Sequence, residues 1–123
     1  MTYKLMASLT GALFAVLAAA FLIAPDLVTS GWGLSLENES AFMGQRLAAA
    51  FAGFAVMGFL SRSLEPSPAR RAIALGITTS MVIVAVVGLA GLARGIVGPG
   101  ILLAVLVELA LAVGLIATGR HVS

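Results

Sequence analysis

Residues 101–117 read ILLAVLVELALAVGLIA, an apolar run interrupted by one carboxylate, Glu108. A run of this length at about 1.5 Å per residue matches the roughly 30 Å hydrocarbon core of a bilayer. It is rich in Ala and Leu and lacks the period-two alternation of a barrel strand, so it reads as a transmembrane helix. A carboxylate in the middle of such a helix is expensive to insert, and ionisable side chains at that depth turn inward to a partner or a wet cavity.

Three further runs of the same kind lie upstream. Together they predict an all-α integral membrane four-helix bundle, with spans at roughly 5–24, 39–62, 68–93 and 99–118, built as a single domain over residues 1–123. Composition agrees. Of the 123 residues 61% are hydrophobic and only 10% are charged, and the mean hydropathy is +1.15. Soluble domains carry about 25% charged residues, so lipid is the solvent that suits this surface. The first run exceeds the h-region of a secretory signal, which argues for a retained span.

The connections fit these boundaries. Pro25 is placed to stop the first helix, and Asn38 or Ser40 to cap the second. Ser67 and Pro68 suit the cap and first residue of the third helix, and Pro99 suits the first turn of the fourth. Trp32 fits the headgroup belt. Lys4, Arg62, Arg70, Arg71 and Arg120 fall on one side of this topology, and Arg94 alone falls in a loop on the other. The positive-inside rule then predicts that both termini of this multi-pass protein are cytoplasmic.

Arg46 is the second charge inside a span. Measured from the same side of the membrane, Arg46 and Glu108 sit at similar depths of about 12 and 13 Å. The sequence therefore predicts an Arg46–Glu108 ion pair tying the second span to the fourth, as a structural link or as a polar binding site. Ala49, Ala50 and Gly53 near Arg46, and Ala104 and Ala112 near Glu108, would allow close helix packing. Gln45 is free to bond a neighbouring backbone, Arg94 to pair with Asp26, Glu37 or Glu39, and Thr78, Thr79 and Ser80 to bond back to helix carbonyls. His121 reads as a solvated end. The five methionines, among them Met6, Met43, Met57 and Met81, read as lipid-facing or core filler.

Cysteine is absent and histidine occurs once. No thiol chemistry, metal cluster or nucleophilic triad can be assembled, so no catalytic, cofactor-binding or metal residue is expected, and no cofactor. The basic residues form no stripe with aromatics, which removes nucleic acid as a partner. The partners expected are the bilayer, other membrane subunits or a second copy.

Several stretches resemble uncharacterised four-span bacterial inner-membrane proteins, loosely the DoxX-like group: LIAPDLV at 22–28, FMGQRLAAAFAGFAVMGFL at 42–60, RSLEPSPARR at 62–71 and VELALAVGL at 107–115. That resemblance implies a compact four-helix bundle and supplies no activity. Small multidrug-resistance transporters share the span count but carry their essential glutamate in the first span, where this chain has no acid. The resulting expectation is a small non-enzymatic membrane protein, an accessory or assembly subunit of a membrane complex or a homo-oligomer. The alternative is a small carrier or a lipid- or quinone-binding protein using Glu108 and Arg46. A closed bundle with the two side chains bonded favours the first, and a crevice reaching them favours the second.

Overall fold

The computed structural model describes residues 2–35 and 37–120, apart from the side chains of Asn38 and Glu39. Its elements are α1 (Tyr3–Ile23), the short α2 (Pro25–Ser30), α3 (Asn38–Ser61), α4 (Pro68–Ala93) and α5 (Ile101–Gly119). All but α2 are long and apolar enough to cross a membrane. The expected boundaries hold to within two residues at each end.

Local chemistry sets most ends. The Thr2 side chain accepts from the Leu5 N–H at 3.2 Å to open α1. Ser67 does the same for α4, accepting from the Arg70 N–H at 3.2 Å, with Pro68 as first helical residue. Each bond satisfies one of the orphan N–H groups of a helix start. Two expectations need correction. Pro25 does not merely end a helix, since it also begins α2, where its missing N–H costs nothing. The cap position of α3 is Glu37, which makes no side-chain cap bond, rather than Asn38 or Ser40. Pro99 lies just before α5, where its carbonyl accepts from the Leu102 N–H at 3.0 Å.

The four spanning helices run up and down around a ring in the order α1, α3, α4, α5. Three sides of the ring are closed: α1 packs along α3, α4 packs along α5, and α1 touches α5. The fourth side, between α3 and α4, makes few contacts. Small residues create the close seams. A Cβ on Gly58 would lie 3.1 Å from both the Ala7 carbonyl oxygen and the Gly11 Cα, so α1 and α3 approach there to backbone contact. Gly88 receives Val105 and Ile101 of α5 in the same way.

Phe14, Phe21, Ala48, Phe51, Ala55, Ile77, Met81, Ala112 and Leu115 form the main core. Phe14 stacks with Phe51 and Phe54 at centroid separations of 5.4 and 5.3 Å. These are tilted aromatic pairs of the favourable kind. The methionines divide: Met6 and Met81 are core, while Met43 and Met57 face out. Outward positions are equally apolar, with Ile23 83%, Leu60 76% and Leu106 66% exposed. Only lipid makes such a surface inexpensive.

Candidate functional site

The two ends of the ring are built differently. At the end carrying the start of α1 and the 62–67 hairpin, polar groups knit four helices together. The Tyr3 hydroxyl and Ser61 Oγ are 2.9 Å apart and buried, and the Ser61 hydroxyl donates onward to the Gly58 carbonyl at 3.2 Å. The Arg70 guanidinium lies over the Tyr3 ring, 4.4 Å from its centroid. It donates to the carbonyls of Thr118 at 2.6 Å and Leu64 at 3.2 Å. A Cβ on Gly119 would fall 2.6 Å from the Ala74 Cβ and 2.9 Å from the Tyr3 ring, so no side chain fits where α5 meets this clasp.

At the opposite end the ring is roofed rather than clasped. Gly33, at φ +75°, turns the chain after α2 in a conformation that glycine adopts without strain. The Gly98 N–H then donates to the Trp32 carbonyl at 2.7 Å. Gly100 lies so close beneath the Gly31 carbonyl that any Cβ would collide with it. Trp32 packs against Phe21 at 6.1 Å, half-buried on the underside of the roof. It is therefore a wall residue as much as a headgroup anchor.

Between clasp and roof, the loose side between α3 and α4 leads into a cleft. Its larger compartment, under the roof, has a volume of about 650 Å³, and a smaller one beside it about 260 Å³. Leu13, Leu17, Leu47, Phe51, Val84 and Glu108 line both. Phe14, Phe54, Ser80, Met81 and Ile83 complete the smaller compartment, and Phe21, Trp32 and Arg94 belong to the larger. Volumes of this order, apolar walls and few polar groups are the usual properties of small-molecule sites.

Glu108 is half-buried on α5 and faces this cleft, with Ala104 and Ala112 on the same side of the helix, as the sequence predicts. Arg46 does not meet it. The structure corrects the Arg46–Glu108 pair: Arg46 is exposed on the outer face of α3, and α3 and α5 stand diagonally across the ring. Among the described residues no carboxylate lies within salt-bridge distance of a cation, and the Glu108 carboxyl has no hydrogen-bond partner. The cause is azimuth. The inward face of α3 is Ala48, Phe51, Ala55 and Gly58. Arg46, two residues before Ala48, projects about 200° around the helix. Ala49, Ala50 and Gly53 turn outward with it.

Smaller expectations divide similarly. Thr79 and Ser80 bond back to the Leu75 and Gly76 carbonyls at 2.7 and 3.2 Å, whereas the Thr78 hydroxyl is buried without a partner. Arg94 is exposed at the end of α4, where it lines the larger compartment, and pairs with neither Asp26 nor Glu37; the side chain of Glu39 lies outside the described residues. Gln45 is exposed and bonds no described neighbour. His121 lies outside the described residues. No group of three or more His, Cys, Asp or Glu side chains is drawn together among the described residues. The aromatic walls were not foreseen as a site. Their signal was Phe14, Phe51 and Phe54 on two helices later found adjacent, a spacing that equally describes ordinary core.

No protein-family model matches the chain, and neither the curated proteins nor the solved structures give a match.

Proposed function

We propose that this small multi-pass membrane protein binds a lipophilic small molecule, admitted from the bilayer through the side between α3 and α4, with Glu108 as its polar contact. The observation that carries this reading is the lateral cleft reaching an unpartnered carboxyl inside a mostly apolar wall. A purely structural carboxylate in lipid would be expected to hold a partner. Binding requires no catalytic step. The reading places the protein in a bacterial inner membrane with both termini cytoplasmic, supported by Lys4, Arg62, Arg71 and Arg120 at the clasp end. A resident site for such a molecule is also compatible with the DoxX-like resemblance, which carries no activity of its own.

Photolabelling tests it. A diazirine-bearing alkyl amphiphile, activated in nanodiscs holding the protein, should mark Leu17, Phe51 and Val84 inside the cleft as well as the outward Val16, Val86 and Leu106. Adducts confined to the outward set would defeat the proposal.

A second reading, the accessory or assembly subunit, draws on the outer face of α3. There Arg46 stands exposed beside Ala49, Ala50 and Gly53, a flat apolar strip with one charge. Weighing complexes extracted in mild detergent from the native membrane distinguishes it, since a species heavier than the monomer favours assembly and a monomer alone removes it.

A further inference from the structure

The chemistry of the cleft selects among lipophilic molecules by charge, and this inference rests on the binding reading just given. The smaller compartment is lined by the edges of an aromatic cluster, Phe14, Phe51 and Phe54, of which the first two are almost fully buried, together with Ser80 and Glu108. Ring faces carry negative potential and attract an organic cation, increasingly so where water is excluded. A carboxylate adds direct attraction to the same sign of charge. The Glu108 carboxyl has no hydrogen-bond or ionic partner among the described residues, so it is available to a guest. The cation that also lines the cleft, Arg94, lies in the larger compartment at the end of α4. Glu108 is seven residues into α5, about 10 Å further from the roof. Glu108 also borders the larger compartment, but only in the smaller one, which Arg94 does not line, do all three rings and the carboxyl come together.

We infer that the cleft is a site for lipophilic cations, bulky apolar molecules with a quaternary or otherwise poorly hydrated positive centre, held between the phenylalanine rings and Glu108. A strongly hydrated ammonium would surrender too much water to enter. An anion of the same size would face the carboxyl and the negative ring faces.

Three probes of closely similar tetrahedral shape separate charge from shape: tetraphenylphosphonium, tetraphenylsilane and tetraphenylborate, which carry charges of one sign, none and the other. Each is titrated into nanodiscs holding the full chain, with its concentration taken as that in the bilayer. Binding is read as stabilisation against unfolding, followed through Trp32, the sole tryptophan. The phosphonium should stabilise at a concentration on the order of tenfold below the silane, with the borate weakest. Glu108→Gln should bring the three together to within about threefold, and Glu108→Asp should restore the order. The unfolding midpoints without probe establish that both variants fold. Equal binding of all three by the unmodified protein overturns the charge inference and leaves the binding reading intact. An order that persists unchanged in Glu108→Gln also overturns it. Stabilisation by none of them removes both readings.

Discussion

The clasp end and the roofed end solve the same problem, closing a ring of helices in lipid, with unequal means. At the clasp, a tyrosine, a serine and an arginine join α1, α3, α4 and α5 through side-chain bonds and a ring stack. At the roof, the loops before α3 and α5 meet through one backbone hydrogen bond and the contact of Gly31 with Gly100. Water does not compete for hydrogen bonds in the hydrocarbon core, and helices there gain no hydrophobic drive to associate. The side with neither polar links nor small-residue seams is consequently the side left ajar. The lesson is that openness in this bundle follows from where interhelical bonds are omitted rather than from any unusual helix.

The sharpest way to break this contrast is to remove the clasp. Arg70→Ala forfeits the stack on Tyr3 and the bonds to two carbonyls, and should cost about 3 kcal/mol of stability. Unfolding in mixed micelles measures it, and a loss below about 1 kcal/mol would show that the clasp holds little. A methyl group gives the next comparison. Gly119→Ala, inserted against Ala74 and Tyr3, should cost about 2 kcal/mol. Gly76→Ala, where an added Cβ has no neighbour within 4 Å, should be neutral or stabilising by about 0.5 kcal/mol. If the two alanines behaved alike, the packing difference would be without energetic weight.

The smallest expected effect concerns the two charges. In a cycle of Arg46→Leu, Glu108→Leu and the double variant, the coupling should stay within about 0.5 kcal/mol, as for residues that share no partner. A coupling above about 1 kcal/mol would bring the two side chains back into contact and refute the outward placement of Arg46.

That placement also shows which features were legible in the residues. The four spans were plain, because length and apolar content alone decide them in a bilayer. Ser67 and Pro68 announced their helix start through capping chemistry. The inward turn of Glu108 was legible too, since a mid-span carboxyl has few alternatives. The outward turn of Arg46 was not. In a soluble helix the apolar stripe marks the inner face, but here both faces of α3 are apolar and the stripe vanishes. A long arginine near a helix start can also extend its head toward that end and escape the lipid, which a mid-span glutamate cannot do. The clasp was hidden for a different reason: Tyr3, Ser61 and Arg70 lie far apart in sequence, and only the ring order brings them together.

The short 62–67 hairpin has a mechanical corollary. With α3 and α4 joined there, sparsely in contact with each other beyond it and each packed along its own neighbour, the α1–α3 and α4–α5 pairs are arranged like the two arms of a pair of tweezers. Each arm is about 36 Å long, so a swing of roughly 10° at the pivot shifts the far tips by about 6 Å. Gape at one end of the molecule is thereby set by leverage from the other.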